Sequence, residues 1–344
     1  MTSKQSNSAL GPLLIGLAGH EISSEEHAWL RQPAVGGVVL FTRNFRDVSQ
    51  LTTLTRDIRE SAGRDLLICV DHEGGRVQRF RDGFTRLPPL SVLGRIHAES
   101  PALALDYAYR HARVMATELL LCGVDLSFAP VLDLGGRSQV IGDRAFAADS
   151  PTVIELARTY IAGMHDAGMA ATGKHFPGHG SVEADSHTDD VCDPRAFTEI
   201  ENNDLQPFRE LSDTLDAVMM AHVLYPQVDP VAAGYSAYWI QTVLRQQLAY
   251  RGTVFSDDLG MFAAKVAGGL KARVEASLQA GCDAVLVCDP GDVRALMKAG
   301  EMPGMDSYRA LERLKGRFTA SRADVERVGE WRQWKMTIEQ LEHS

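Results

Sequence analysis

The chain has 344 residues, of which 45% are hydrophobic and 23% are charged, and its formal net charge at pH 7 is -10. This length suits one large α/β barrel or two ordinary domains, and the composition is that of a globular protein. Nucleic-acid binding requires clustered Lys and Arg side chains against the phosphates, which a net negative charge argues against. We therefore expect a globular protein without a nucleic-acid partner.

The cysteines and the N-terminal segment bear on the compartment. The five cysteines are Cys69, Cys122, Cys192, Cys282 and Cys288. Their number is odd and they form no CxxC pair, so we expect unpaired core residues in a reducing compartment. The apolar run at 13–19 is too short to span a bilayer, and it is shorter than the apolar part of a usual signal peptide. We therefore expect a cytoplasmic protein that does not bind a membrane.

Eight short apolar runs alternate with helical patterns along the chain. Each run is apolar throughout, as expected for a strand that is buried on both faces of a parallel sheet. The runs cover residues 13–19, 35–41, 66–71, 124–133, 169–176, 217–225, 253–258 and 284–289. Eight strand–helix units in about 290 residues predict an α/β fold of the (β/α)8 TIM barrel type. A doubly wound open sheet is the alternative, but it would need a glycine-rich phosphate turn, and neither GxGxxG nor a Walker sequence occurs.

The segments between the runs carry helix signals. Ser23 with Glu26 fits a capping box, and Ser150 followed by Pro151 fits an N-cap and a first helical position. Helical spacing predicts helices at 103–121, 152–167 and 272–280, which end near Gly123, Gly168 and Gly281. We expect a single domain over residues 1–344, with a barrel core at about 11–318. The polar tail at 319–344 is expected to pack outside the barrel as a helix or to fray.

Ionisable residues follow the predicted strands at the end where barrel enzymes carry their active sites. In chain order they include Asp71, Glu73, Arg76, Arg79, Asp133, Arg144, Lys174, His175, His222, Asp257, Asp258 and Asp289. Charged groups are costly to bury, so their convergence indicates a functional site. We interpret Asp289 as the N-cap of the next helix, whereas Asp133 could be a cap or a site residue. Lys174 could form a Schiff base, or it could bind substrate hydroxyls and steady nearby carboxylates.

The segment after the fifth strand is the most informative part of the sequence. It reads FPGHGSVEADSHTDD from Phe176, and the next convincing helix begins near Pro194. A loop of this length in a compact fold is usually functional, and its glycines would let it fold over the barrel mouth. Asp185 and His187 are two residues apart, so in an extended segment the carboxylate can fix the imidazole tautomer. The pair could serve in general acid–base catalysis or be a solvated turn.

Three motifs together resemble the β-N-acetylhexosaminidases of glycoside hydrolase family 3. They are DHEGGRVQR at 71–79, KHFPGHG at 174–180 with the downstream DSH at 185–187, and FSDDLGM at 255–261. The resemblance is to the bacterial single-domain branch that serves peptidoglycan recycling, and it covers roughly residues 11–300. It implies a retaining exo-β-N-acetylglucosaminidase that releases terminal N-acetylglucosamine from cell-wall muropeptide fragments. It also implies a monomer that requires neither a metal nor a cofactor.

The resemblance also implies roles for individual residues. Asp257 would attack the anomeric carbon, and His187, supported by Asp185, would protonate the leaving oxygen and later activate water. Substrate contacts would fall on Asp71, Arg79, Arg144, Lys174 and His175. His72 departs from the family pattern, which has glutamine there, and we expect its side chain to face away from the site.

Three other interpretations remain open. A substrate-assisted hexosaminidase would use Asp257 and Asp258 jointly, although adjacent strand residues point to opposite sides. A metal-dependent hydrolase is the second, although no HxH closes the first strand and no HExxH is present. Its candidate ligands are His175, His179, Asp185, His187 and His222. A catalytically inactive sugar-binding barrel is the third, but it would not need the predicted nucleophile and the predicted acid–base pair together.

Overall fold

A computed structural model describes residues 10–181, 191–261, 264, 268–300, 310–317, 322–326 and 329–341. Within these ranges eight parallel strands form a nearly closed barrel, which confirms the predicted (β/α)8 fold. The barrel strands are β1 (Leu13–Gly16), β2 (Val35–Leu40), β3 (Leu67–Val70), β6 (Leu126–Ser127), β7 (Thr172–Phe176), β8 (Ala217–Met220), β9 (Thr253–Asp258) and β10 (Ala284–Val287). A small hairpin after β3 consists of β4 (His72–Gly74) and β5 (Val77–Gln78). Each barrel strand falls inside one of the predicted apolar runs.

Hydrogen bonding joins the barrel strands in the order β6-β3-β2-β1-β10-β9-β8-β7. Because β6 is only two residues long, closure against β7 depends on the segment that follows β6. Val131 forms a parallel bridge with Lys174, and the Leu132 N–H donates to the Lys174 carbonyl at 2.7 Å. Pro130 lies within this segment and has no N–H to donate, which interrupts regular pairing. The barrel therefore closes through an irregular seam between the fourth and fifth strands.

Helices cover the outside of the barrel. The described α-helices are α1 (Ser24–Leu30), α2 (Val48–Ala62), α3 (Leu90–Glu99), α4 (Pro101–Leu120), α5 (Ser150–Ala167), α6 (Phe197–Asn202), α7 (Leu205–Glu210), α8 (Leu270–Ala280), α9 (Pro290–Lys298), α10 (Arg322–Glu326) and α11 (Gly329–Gln340). A π-helix, Tyr238–Gln247, connects β8 to β9. Short 3₁₀ turns lie at Thr42–Asn44, Gly142–Arg144, Ala233–Tyr235 and Leu311–Leu314. Among the described helices, none combines the length and the hydrophobicity that crossing a bilayer requires.

The helix start signals are confirmed at α1 and shifted at α5. The Ser23 hydroxyl accepts the Glu26 N–H at 3.3 Å, and the Glu26 carboxylate accepts the Ser23 N–H at 2.8 Å. The predicted N-cap Ser150 is wrong by one residue, because Asp149 caps α5 and Ser150 is its first residue. A carboxylate is favoured at the positive end of a helix, which explains why Asp149 caps in place of the following hydroxyl.

The described part of the C-terminal tail lies outside the barrel. Helix α11 packs against α4 and buries Trp331 and Ile338. The Lys335 ammonium lies 2.8 Å from the Glu118 carboxylate and adds an ion pair to this contact. This part of the tail is therefore a packed helix. The assignment of the whole chain to one domain stays a prediction.

The five cysteines, all within the described residues, form no disulfide, but one of them is not in the core. Four are buried, whereas Cys192 is exposed, so the prediction that all five fill the core is wrong at this position. Cys192 lies between the buried residues Val191 and Asp193 in an extended stretch that pairs with Leu224. Side chains alternate along an extended chain, so the residue between two buried neighbours points to solvent.

Candidate active site

A pocket of about 570 Å³ opens at the C-terminal end of the barrel strands. Side chains of β7 and β9 line it together with side chains from the segments after β3 and β6. Six of the eight predicted site residues lie in its wall: Asp71, Arg79, Arg144, Lys174, His175 and Asp257. The other two, Asp185 and His187, lie outside the described residues. The structure therefore brings the described predicted residues to one place.

Asp257 lies near the end of β9 with its carboxylate in the pocket wall. Its Oδ1 accepts the N–H of Asp258 at 2.8 Å. Burial raises the pKa of this carboxyl, but the charges of His175, His222 and Lys174 and the backbone N–H outweigh burial and lower the pKa below its ordinary value. Asp257 is thus held ionised, which is the form in which a carboxylate can act as a nucleophile.

Asp258 is turned away from the pocket. Its Oδ1 accepts the N–H groups of Gly260 and Cys288, both at 3.0 Å, and so ties the end of β9 to the end of β10. This orientation follows from the alternation of side chains along a strand. Asp257 and Asp258 do not face the pocket together, so the geometry disfavours the joint role that a substrate-assisted mechanism would give them.

Lys174 lies on β7 and is almost fully buried, at 1% exposure. Its Nζ lies 2.7 Å from Asp71 Oδ1 and 2.5 Å from Glu73 Oε1. On the other side of Asp71, Arg79 Nη2 lies 3.7 Å from Oδ2. Both carboxylates form ion pairs with the Lys174 side chain, whereas a lysine that forms a Schiff base must have a free amine to attack. The geometry therefore disfavours Schiff-base chemistry for Lys174.

Glu73 is among the ionisable residues that the sequence places at the barrel mouth, but the sequence analysis assigned it no role. Its carboxylate forms a bidentate ion pair with the Arg144 guanidinium, in which Nε lies 2.8 Å from Oε2 and Nη2 lies 2.8 Å from Oε1. Burial raises the pKa of Glu73, but the charges of Arg144 and Lys174 outweigh burial and lower it. The alternation of side chains in DHEGG could have identified Glu73, because it places this residue opposite the buried His72.

His72 faces away from the pocket, as expected. Its ring lies 5.6 Å from the rings of Phe80 and Phe84, measured between centroids. Burial lowers the pKa of His72 to about 3, so the imidazole is neutral in the fold. The departure from glutamine at this position therefore changes the packing behind the hairpin and leaves the pocket wall unaltered.

Asp133 holds both histidines of the KHFPGHG motif. Its Oδ2 lies 2.6 Å from His175 Nδ1, and its Oδ1 accepts the His179 N–H at 2.6 Å. Burial raises the pKa of Asp133, but the charge of His175 outweighs burial and lowers it. Because Asp133 is ionised, His175 Nδ1 must be the donor, which leaves Nε2 for a ligand in the pocket. Of the two interpretations left open for Asp133, the structure supports the site residue, whereas Asp289 caps α9 as expected.

His222 lies behind the pocket wall. Its Nε2 donates to the Asp258 carbonyl at 3.1 Å, its ring stacks on Tyr235, and burial lowers its pKa. Across the described residues, no three His, Cys, Asp or Glu side chains are grouped so that they could hold a metal ion.

Both ends of the predicted loop after β7 are anchored at the barrel mouth. At the first end, the Tyr225 hydroxyl donates to the Gly178 carbonyl, and the Gly180 carbonyl accepts the Ser138 N–H at 3.1 Å. At the second end, the Asp193 N–H donates to the Leu224 carbonyl at 2.8 Å. Arg195 pairs there with Asp193 and Asp204, at 2.7 and 2.8 Å. The described residues that flank 182–190 are thus hydrogen-bonded at the barrel mouth, whereas Asp185 and His187 themselves lie outside the described residues.

Similarity to known proteins identifies the family. The family model described as the glycosyl hydrolase family 3 N terminal domain matches residues 9–315. A β-hexosaminidase from Stenotrophomonas maltophilia is 55% identical over 279 residues, which cover 81% of this chain and 83% of that protein. A β-hexosaminidase from Tolumonas auensis is 48% identical over 332 residues, which cover 95% of this chain and 96% of that protein.

Among solved structures, NagZ from Neisseria gonorrhoeae in complex with N-trifluoroacetyl-D-glucosamine has the same fold. The two chains superimpose with a TM-score of 0.91 at 41% identity, over 97% of this chain and 98% of that one. The chain therefore belongs to glycosyl hydrolase family 3 and is a glycoside hydrolase.

Proposed function

We propose that this protein is a retaining exo-β-N-acetylglucosaminidase that releases terminal N-acetylglucosamine from cell-wall muropeptide fragments. The observation that carries the proposal is an ionised Asp257 in the same pocket as Arg144, Lys174 and His175. The similarity to β-hexosaminidases supports the reaction. An N-acylated glucosamine in the similar NagZ structure supports the sugar.

In the proposed first step, an Asp257 carboxylate oxygen attacks the anomeric carbon as the bond to the aglycone oxygen breaks. A covalent glycosyl-enzyme forms, and water then attacks the same carbon to release the sugar with its original configuration. The Asp258 N–H, which donates to Asp257, fixes the orientation of the carboxylate for this attack. The lowered pKa of Asp257 keeps it ionised in the resting enzyme.

His187 is the proposed acid and later base, and Asp185 is its supporting carboxylate. The imidazole donates a proton to the leaving oxygen and then accepts one from the attacking water. An unperturbed histidine titrates near pH 6.5, so both forms are accessible near neutral pH. The support for this role is the chain connection: residues 182–190, which include both, join two described segments that are hydrogen-bonded at the barrel mouth.

The remaining polar groups of the pocket are proposed to bind the sugar. Lys174 and Arg144 retain donors that can reach sugar hydroxyls or the acetamide oxygen, and His175 presents its Nε2 to a sugar hydroxyl. Asp71 and Arg79 add an acceptor and a further cation on the same wall. A pocket of about 570 Å³ is within the usual range of small-molecule sites.

The setting of the reaction belongs to the same proposal. We propose a monomer in the cytoplasm that acts on small soluble fragments and uses neither a metal nor a cofactor. The net charge of -10 and the free thiols agree with this setting.

Two measurements test the proposed function. Nitrophenol should be released from the β-N-acetylglucosaminide but not from the β-glucoside, and the rate should survive exhaustive chelation. A fluorinated sugar should leave a covalent adduct that mass spectrometry locates on Asp257. Turnover without any trapped adduct would favour the substrate-assisted mechanism, and loss of activity on chelation would favour a metal.

A further inference from the structure

We propose that Glu73 is a positioning residue that holds Lys174 and Arg144 together and sets the direction of the donors that both present to the sugar. The inference rests on the proposed function, because it treats the two cations as sugar ligands. Glu73 is 1% exposed and is not among the pocket-lining residues, so it would act only through its partners.

Three donor atoms converge on the Glu73 carboxylate. Oε1 accepts from Lys174 Nζ at 2.5 Å and from Arg144 Nη2 at 2.8 Å, while Oε2 accepts from Arg144 Nε at 2.8 Å. A two-point contact of this kind fixes the plane of the guanidinium as well as its place. Glu73 thus specifies the orientation of Arg144 and the position of the Lys174 ammonium.

The two cations depend on this carboxylate because they share one of its oxygens. The side chains of Lys174 and Arg144 are 1% and 11% exposed, so water screens their mutual repulsion poorly. Buried charges of like sign remain close only when an anion lies between them. Without the charge of Glu73, we expect the ammonium and the guanidinium to move apart.

Glu73 also determines which donors remain for a ligand. An ammonium has three N–H groups, and Lys174 uses Asp71 and Glu73 as two partners while it also lines the pocket. Arg144 has five N–H groups, of which two bind Glu73 and one points to the Val140 carbonyl at 3.3 Å. The unused donors are the ones that can bind sugar oxygens.

The backbone around Glu73 is well suited to hold it in place. Gly74 and Gly75 adopt φ values of 120° and 52°, which form the tight turn between β4 and β5. A Cβ atom at Gly74 would lie 2.4 Å from the Pro88 carbonyl oxygen, so only glycine fits there. With His72 packed on the opposite face, the hairpin fixes Glu73 towards Lys174 and Arg144.

The test is Glu73→Gln, which keeps the shape of the side chain and removes its charge. We expect kcat/KM for the nitrophenyl N-acetylglucosaminide to fall about 100-fold, because charged hydrogen bonds to two cations are weakened. Most of this fall should come from a higher KM and little from a lower kcat, since Lys174 and Arg144 would bind substrate and transition state alike. A folded variant with the KM of the wild type would overturn the proposal.

Glu118→Gln is the matched control. Glu118 is a buried glutamate that pairs with Lys335 and accepts from Thr85, and it does not line the pocket. It should therefore keep kcat/KM within about twofold of the wild type. A fall in Glu118→Gln as large as in Glu73→Gln would show a general effect of removing a buried charge and would overturn the positioning role.

A double-mutant cycle separates positioning from a structural role. If Glu73 acts through Lys174, the effect of Glu73→Gln should shrink to below about tenfold in a Lys174→Met background. The same fold-loss in both backgrounds would overturn the proposal. Should Glu73→Gln fail to fold, Glu73→Asp serves in the same cycle, because it keeps the charge but is one methylene too short to reach both cations.

A last readout does not depend on the reaction. Wild-type enzyme that releases no nitrophenol would contradict the proposed function but not the role of Glu73. Limited labelling with acetic anhydride, followed by mass spectrometry, then reports on Lys174 directly. Glu73→Gln should raise the labelled fraction at Lys174, because its ammonium loses one of two carboxylate partners, and unchanged labelling would overturn the proposal.

Discussion

At the scale of single residues, two consecutive buried side chains at the barrel mouth, Lys174 and His175, pair with carboxylates from different neighbouring segments. Lys174 pairs with Asp71 and Glu73 after the third barrel strand, while the next residue, His175, pairs with Asp133 after the fourth. Consecutive residues on one strand are therefore fixed by different partners. Each pairing can be tested separately, because it depends on its own carboxylate.

Asp133→Asn should weaken the hold on His175. An amide cannot accept from the imidazole as strongly as a carboxylate, and charged hydrogen bonds are worth about 1.5–3 kcal/mol. We therefore expect kcat/KM for the nitrophenyl N-acetylglucosaminide to fall about 10- to 100-fold.

Asp216→Asn is the control for this prediction. Asp216 also pairs with a histidine, His165, at 2.7 Å, but it lies just before β8, at the opposite end of the barrel strands. Its kcat/KM should stay at the wild-type value. Equal losses in Asp133→Asn and Asp216→Asn would contradict a specific role for Asp133.

His187→Ala should affect substrates according to their leaving groups. A poor leaving group needs a proton as the bond breaks, and general acid catalysis is worth roughly 10²–10⁴-fold. We expect a loss of this size for phenols of high pKa and a much smaller loss for nitrophenols. The measurement is kcat/KM across a series of aryl N-acetylglucosaminides, and a uniform loss would refute the acid role.

At the scale of elements, the same hydrogen-bonding arrangement occurs three times at the N-terminal end of the barrel strands. An aspartate directly precedes each of β6, β8 and β10, and its carboxylate accepts at 2.8 Å a backbone N–H that lies in a neighbouring strand or directly before it. These residues are Asp125, Asp216 and Asp283. Their cationic partners are Arg59, His165 and Arg245. Because these residues lie far from the mouth, we expect them to stabilise the barrel without affecting catalysis.

Asp125→Ala should lower the free energy of unfolding by about 3 kcal/mol, because it leaves the Nη2 group of Arg59 and the Ile68 N–H, both partly or fully buried, without their acceptor. Urea denaturation measures this loss, and kcat/KM should not change. Asp65→Ala is the control, since Asp65 pairs with the same Arg59 at 2.9 Å but is 61% exposed. Its loss should stay below about 1 kcal/mol, and similar losses in the two variants would contradict the argument.

The elements could be predicted from the sequence far better than the side-chain partners. A strand that is buried on both faces must consist of apolar residues, which are visible in the sequence. Each barrel strand therefore lies inside its predicted run. Glu73 and Asp133 differ, because their partners lie 71 and 42 residues away along the chain and meet them only after the barrel closes. The exposure of Cys192 and the shift of the α5 cap to Asp149 likewise depend on local geometry that composition does not record.

At the scale of the whole molecule, buried neutral histidines make stability depend on pH. Burial lowers the pKa of His72 to about 3 and that of His111 to about 4, whereas unfolded imidazoles titrate near 6.5. Between these values the unfolded chain binds protons that the folded chain does not. The free energy of unfolding therefore falls as the pH falls below about 6.5, by up to about 1.4 kcal/mol per pH unit for each histidine.

Other groups make the folded state relatively more stable at low pH, because their pKa values are raised in the fold. The hydrogen bond that His165 donates to the Asp216 carboxylate raises the pKa of His165, so His165 adds stability that is present below its unfolded pKa and is lost as the pH rises. Burial raises the pKa of Asp125 and Asp283, so these two carboxyl groups also make the folded state relatively more stable as the pH falls. A net slope for the whole protein therefore mixes several groups, and a single-site variant is needed to isolate one of them.

His72→Gln isolates one histidine, because glutamine stays neutral at every pH and His72 does not face the pocket. Between pH 6 and 4.5, urea denaturation should show a slope of unfolding free energy that is smaller than that of the wild type by about 1.4 kcal/mol per pH unit. His20→Gln is the control, since His20 is exposed in the fold and its replacement should leave the slope unchanged. If His72→Gln kept the wild-type slope, the buried imidazole would have to take up its proton within the fold, between Phe80 and Phe84, and the packing behind the hairpin would have to open to admit it.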